Sequence, residues 1–198
     1  MTGKLIALRR SAGSAPAEMS DEALLAACAV GEIAALGGLF DRHRTYVRRF
    51  IGQLAGSDVR DLDDLVQSTF LELYRSASRF RGEAAVRSWI LGIANNVVRT
   101  HARGAIRRRT AMSTLASIPQ TLVPAVDGPL LVAEQMARLR VAMSELTHDR
   151  RVAFVMCDVE EVPGVEAARI LGIRTGTLGR RLHEARQALR AALAEDHS

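Results

Sequence analysis

Apolar residues recur at helical spacing along most of this chain, with charged residues between them. Ser20-Asp21-Glu22 is typical of a helix start and precedes the first apolar positions, Leu24, Leu25 and Cys28. A longer helix is predicted within Glu32–Leu54, where arginines alternate with an apolar stripe. The pattern therefore predicts a helical domain that begins near residue 20.

Two more amphipathic helices follow in this domain. The first begins near Asp61, where Asp61 and Asp64 resemble a capping arrangement, and ends near Ala77. Its inward positions are Leu62, Leu65, Val66, Phe70, Leu73 and Tyr74. The second carries an apolar stripe from Val86 to Val97 that includes Trp89, so we expect Trp89 in the core. Arginines follow on its C-terminal side.

The stretch from Thr110 to Pro129 contains Ser, Pro and Gly without a helical stripe and is typical of a linker. We predict an all-α fold of two small helical domains joined by a flexible linker that lets their separation change. The predicted boundaries are an N-terminal tail at 1–19, a first domain at 20–103, the linker at 104–129 and a second domain at 130–194. Aromatic residues make up only 4% of the chain, which also favours helices.

The second domain carries a pattern that predicts a helix-turn-helix. Ala168 is small enough for close helix approach, Gly172 permits the turn, and Leu178 anchors the second helix. An ordinary helical hairpin is the alternative that these three residues leave open. The second helix also carries arginines, whose guanidinium groups pair with guanine or phosphate.

The charge of the chain agrees with a polyanionic partner. The net charge is +5 and the sequence pI is about 10.2. The five histidines do not cluster, and no catalytic motif, metal-ligand spacing or phosphate-binding glycine loop is present, so we expect no enzyme activity, metal, cofactor or small-molecule substrate. Cys28 and Cys157 are predicted to be free thiols, and the absence of a long apolar run predicts a cytoplasmic protein without membrane insertion.

Three motifs resemble one family. Gly172-Ile173-Arg174-Thr175-Gly176-Thr177-Leu178 with Arg181-Leu182-His183 looks like the part of sigma factors that reads the -35 promoter element. Asp61-Leu62-Asp63-Asp64-Leu65-Val66-Gln67-Ser68-Thr69-Phe70-Leu71 is similar to the helix that docks on the polymerase clamp. Phe80-Arg81-Gly82, Ser88-Trp89-Ile90 and Ile93-Ala94-Asn95-Asn96 resemble positions that meet the -10 element. Both halves follow the family's order and no third conserved domain lies between them, so the chain resembles the extracytoplasmic-function (ECF) group of the sigma-70 family.

The resemblance implies a sigma factor that binds core RNA polymerase and directs promoter recognition, DNA opening and transcription initiation, with an anti-sigma factor as a further expected partner. The implied -35 contacts are Arg174, Thr177, Arg180, Arg181, His183 and Arg186. The implied -10 contacts are Arg81, Asn96, Arg99, Arg103 and Arg107, with the loop Ser78–Ala84 expected to receive an unpaired base. The implied polymerase contacts are Asp61, Asp63, Asp64 and Gln67.

The chain departs from the family pattern at several positions. Gly179 stands where Lys or Arg is usual, Glu184 where Arg is common, Pro163 where Ser commonly caps a helix, and Thr100 where Asp is usual. The recognition helix is therefore expected to carry fewer cations than is typical. The main alternative is a stand-alone helix-turn-helix transcriptional regulator with an N-terminal sensing or dimerisation domain.

Overall fold

Every regular element of the described residues is helical, as the sequence predicts. The structure, a computed structural model, describes residues 19–55, 61–111 and 130–194. The N-terminal domain contains α1 (Asp21–Ala29), α2 (Ile33–Ala55), α3 (Leu62–Ser76), a 3₁₀ turn (Ala77–Arg79) and α4 (Val86–Ala111). The C-terminal domain contains α5 (Leu130–Glu145), α6 (His148–Phe154), a π-helical turn (Val155–Val159), α7 (Gly164–Ile170) and α8 (Thr175–Ala194). The predicted tail, apart from residue 19, and linker residues 112–129 lie outside the described residues.

Helix α1 begins where the sequence predicts. Ser20 is its N-cap, and its hydroxyl accepts a hydrogen bond from the Ala23 N–H at 3.2 Å. Asp21 links α1 to α2, because its Oδ1 lies 2.8 Å from Arg42 Nη1 and its Oδ2 lies 2.6 Å from His43 Nε2. Partial burial alone would raise the pKa of Asp21, but the hydrogen bonds and charges of Arg42 and His43 outweigh it and lower that pKa.

The core of the N-terminal domain lies between α2, α3 and α4. Phe50 of α2 is fully buried and packs in one cluster with Leu73 of α3 and Ile90 of α4. Truncating a buried phenylalanine to alanine costs about 3–5 kcal/mol, so this contact alone is a large part of a small domain's stability. Trp89 is half-buried against the same core, with its ring centroid 5.3 Å from that of Phe80, which confirms its predicted packing role.

Two local predictions about this domain need correction. Asp61 precedes α3 as expected, but its carboxylate does not cap the helix; it pairs with His101 Nε2 of α4 at 3.0 Å. Helix α4 also continues to Ala111, past the predicted domain boundary at 103. Alanine and arginine, which are frequent in this stretch, are good helix formers, so the helix extends beyond the end of its apolar stripe.

The helix-turn-helix is present as predicted. Ala168 and Leu178 are buried, and Gly172 between them has a φ of +66°, a backbone conformation that favours glycine. Pro163 precedes α7 and provides no side-chain cap. The turn therefore fixes α8 against α6 and α7.

The two domains contact each other directly, which the sequence does not predict. Helix α7 packs on α4, while α6 and the π-helical turn pack on α2. Within the residues that the structure describes, no helix is long and apolar enough to span a membrane.

Candidate nucleic-acid and polymerase interfaces

One face of α4 carries a row of cationic and amide side chains. Asn96, Arg99, Arg103 and Arg107 follow one another at separations of three, four and four residues, so they share one side of the helix. Asn96, Arg103 and Arg107 are exposed and Arg99 is half-buried. No carboxylate among the described residues forms an ion pair with these three arginines. The row can therefore accept an external anion without breaking an ion pair to a described carboxylate.

The loop before α4 leads into the helix that carries this row. Arg81 is exposed, Gly82 has a φ of +70°, and Phe80 packs on Trp89. The Glu83 carbonyl accepts a hydrogen bond from the Arg169 guanidinium of α7. In this arrangement the loop is therefore occupied by the C-terminal domain.

The outer face of α8 presents only part of the predicted -35 set. Arg180 is 72% exposed and lies 4.0 Å from Glu184, one turn further along the helix. Arg174 and His183 are exposed and Thr177 is half-buried. The opposite face carries Leu178, Ala185 and Leu189, which pack into the domain.

Two of the predicted -35 arginines instead join α8 to the rest of its domain. Arg181 Nη2 lies 2.5 Å from Asp149 Oδ2 at the start of α6. Arg186 makes two hydrogen bonds to Asp158 in the π-helical turn, at 2.8 and 2.6 Å, and these raise the pKa of Arg186. Glu184, a departure from the family pattern, likewise pairs with Arg150 at 3.0 Å. Arg181 and Arg186 thus form ion pairs that local sequence could not reveal, because their partners lie in other elements.

The exposed face of α3 combines polar residues with one large apolar side chain. Asp64, Gln67, Ser68 and Leu71 are exposed at helical spacing, and Leu71 is 52% exposed. Asp63 is also exposed but pairs with Arg48 of α2. Leu71 was missed as a candidate contact, although its position four residues after Gln67 places it on the same face. An apolar centre with a polar rim is typical of a protein interface.

The cysteines and titratable groups of the described residues form no metal-binding cluster. Cys28 is buried and Cys157 half-buried, both are free, and burial raises the pKa of each thiol. No group of three or more His, Cys, Asp or Glu side chains in the described ranges is arranged to hold a metal ion.

Family comparisons match both domains. Residues 39–109 match sigma-70 region 2, and residues 136–189 match sigma-70 region 4. The chain is 31% identical over 174 residues to the ECF RNA polymerase sigma factor SigC of Mycobacterium tuberculosis, covering 88% of this chain and 91% of the relative. It is 33% identical over 172 residues to SigM of the same species, covering 87% and 84%.

Solved structures show the same fold. The complex of CnrH with the cytosolic domain of CnrY contains a chain with a TM-score of 0.64 and 25% identity, covering 89% of this chain and 98% of that one. The sigma factor RpoE from Bartonella quintana, solved with the anti-sigma factor NepR, has a TM-score of 0.67 and 23% identity, covering 79% and 95%.

The chain belongs to the ECF group of the sigma-70 family. It is therefore a transcription initiation factor that directs promoter recognition by RNA polymerase. The match of the N-terminal domain to region 2 argues against the stand-alone regulator, whose first domain would sense a ligand or dimerise.

Proposed function

We propose that the two domains divide promoter recognition between them, with α4 holding the opened strand at the -10 element and α8 reading the -35 duplex. The observation that carries this proposal is the row Asn96, Arg99, Arg103 and Arg107, whose arginines form no ion pair with a described carboxylate. A single strand needs phosphate-binding cations along its path and a surface for an extruded base. The loop with Arg81 is the proposed base-binding surface.

On the upstream duplex, Arg180 and His183 are the proposed groove contacts. Both residues lie on the outer face of α8. Arg174 and Thr177 are near the N-terminus of α8, and recognition helices of helix-turn-helix proteins direct this end at base edges. A bidentate arginine contact to guanine contributes about 1–3 kcal/mol of discrimination. Arg181 and Arg186 stay in the proposed set, but they must give up or share their carboxylate partners to bind DNA.

The exposed face of α3 is the proposed docking surface for core polymerase. Asp64 and Gln67 supply polar contacts and Leu71 supplies apolar area. Asp63 and Asp61 lie next to this face, each with an internal cationic partner. Charge complementarity at such a rim mainly sets the association rate and partner choice.

The test begins with purified core polymerase, this chain and a pool of randomised promoter fragments, from which transcribed sequences are selected. We expect a bipartite sequence to emerge only when the chain is present. Asp64→Arg should reduce binding to core polymerase at least tenfold, while Asp41→Arg, an equal charge reversal on exposed α2 surface, should not. Equal core binding by wild type and Asp64→Arg would show that α3 is not the docking surface.

We further propose an anti-sigma factor as a regulatory partner, a cytoplasmic location and no catalytic activity of the chain itself. The similar RpoE was solved with its anti-sigma factor NepR, and CnrH with the cytosolic domain of CnrY. Affinity purification of the chain from its own cells, with core polymerase subunits as the internal reference, tests the partner. Recovery of polymerase without any second stoichiometric protein would count against it.

A further inference from the structure

The contact between the two domains is built around one buried carboxylate. Glu160 follows the π-helical turn, and its side chain has no solvent exposure. Arg49 of α2 binds it through Nη2 at 2.8 and 2.9 Å and through Nε at 3.1 Å, and Arg87 of α4 binds it at 3.2 Å. Both cations belong to the other domain.

This arrangement would be unfavourable without the N-terminal domain. A buried carboxylate that loses its cationic partners costs several kcal/mol, and its penalty is offset only by well-placed charges and hydrogen bonds. Both arginines lie outside the C-terminal domain, so Glu160 would become solvated if the domains separated. The buried charge is therefore a property of the contact and not of either domain alone.

The ring of Tyr46 packs against both arginines that bind the carboxylate. The Arg87 guanidinium lies 3.9 Å from the Tyr46 ring centroid and that of Arg49 lies 5.6 Å from it. Burial, together with the charge of Glu160, raises the pKa of Tyr46 to about 12. We call Tyr46, Arg49 and Arg87 the interdomain anion site.

The surrounding surfaces fit closely. A Cβ atom added at Gly92 would lie 2.5 Å from Ile170 Cγ2, so only glycine allows α7 to approach α4 this closely. The Ala85 N–H donates to Glu166 Oε1 at 3.0 Å, and His148 Nε2 lies 2.8 Å from Asn95 Oδ1. These contacts extend along α4 to the residue before Asn96, the first member of the proposed strand-binding row.

The closed arrangement conflicts with the proposed promoter contacts. The -35 and -10 elements are named by their positions relative to the transcription start, so they lie about 25 base pairs apart. This spacing is about 85 Å at 3.4 Å per base pair. Two domains that touch through Glu160 cannot place α8 and α4 at both elements. The loop before α4 is also bonded to Arg169.

We infer that the interdomain anion site binds Glu160 of the same chain and keeps the free protein in a closed form that cannot engage both promoter elements. This inference rests on the proposed function for its consequence, but the closure itself can be measured without promoter DNA. The face of α3 with Asp64 stays exposed in the closed form. Polymerase can therefore dock before the domains separate.

The first experiment reverses the charge. Glu160→Lys places a cation against Arg49 and Arg87, and we expect the radius of gyration of the free chain in X-ray scattering to rise by several ångströms from about 16 Å, the value for a compact chain of this length. Glu161→Lys is the matched control, because Glu161 is exposed and adjacent. An unchanged radius for Glu160→Lys, with helicity preserved, would overturn the inference.

The second experiment locks the closed form. The Gly92 Cβ position lies 3.8 Å from Ile170 Cβ, which suits a disulfide, so Gly92→Cys with Ile170→Cys should cross-link in a background with Cys28→Ala and Cys157→Ala. The oxidised protein should bind core polymerase but lose promoter opening, and reduction should restore it. Failure to cross-link, or normal promoter opening by the oxidised protein, would refute the closed form. If neither the reduced variant nor its background protein without the two new cysteines opens the promoter, the proposed function is refuted instead.

Discussion

The arginine row on α4 allows a quantitative prediction. Arg103 and Arg107 lie one turn apart on one face, about 6 Å along the axis, and both are exposed. Each phosphate contact to a single strand contributes about 0.7 to the slope of log affinity against log salt. Replacing both by alanine should therefore lower that slope by about 1.4.

The same figure gives the loss of affinity. Taking 1 M salt as the point where the counterion contribution vanishes, a slope change of 1.4 amounts to about 25-fold at 0.1 M, or about 1.9 kcal/mol. The free energy of unfolding should change by less than about 0.5 kcal/mol, because neither side chain pairs with a described carboxylate.

The assay measures binding of polymerase with this chain to a selected promoter that is single-stranded downstream, across 50 to 200 mM salt. Arg44→Ala, which removes an exposed cation from α2, is the control and should leave the slope unchanged. A wild-type slope in the Arg103 and Arg107 double variant would show that this row does not contact the strand.

Three further predictions concern other contacts. Arg180→Ala should weaken duplex binding without changing the melting temperature, whereas Arg181→Ala should also lower the melting temperature because it removes the ion pair with Asp149; equal melting temperatures would contradict this division. Asp21→Asn should cost up to about 1 kcal/mol of unfolding free energy at pH 7. Because the pKa of Asp21 is lowered by folding, that advantage is present above about pH 4 and is lost below it, so urea unfolding of the two proteins should converge in acid. Gly92→Ala should expand the free chain in scattering while adding up to about 1 kcal/mol of helix stability, and an unexpanded chain would show that α7 tolerates the methyl group.

Local sequence signals predicted the parts of the fold that depend on neighbouring residues. The Ser20 cap and the turn at Gly172 follow from short-range preferences and were confirmed, whereas the predicted capping role of Asp61 was wrong. The interdomain contact was not predictable in this way. Glu160 and Arg49 are 111 residues apart, and an acidic residue that lies between Asp158 and Glu161 looks like a solvated surface charge.

The same reason explains the uneven outcome at the recognition helix. Counting arginines on α8 could not separate those that face solvent from those that Asp149 and Asp158 bind. The face of α3 was easier, because helical spacing alone places Asp64 and Gln67 together. Leu71 was not among the predicted polymerase contacts, which were all acidic or amide residues.

The length of the π-helical turn Val155–Val159 sets which of the following side chains points toward α2. The Glu160 N–H donates to the Val155 carbonyl at 2.9 Å, five residues back, so the chain takes one residue more than an α-turn before it closes. Each residue of an α-helix turns the chain by about 100°, and deleting one residue here would rotate the following side chains by about that angle. A relative that keeps both Glu160 and Glu161 but has a turn one residue shorter would present another side chain to α2. Turn length, and not acidic composition, should therefore distinguish homologues that share this domain contact from those that lack it.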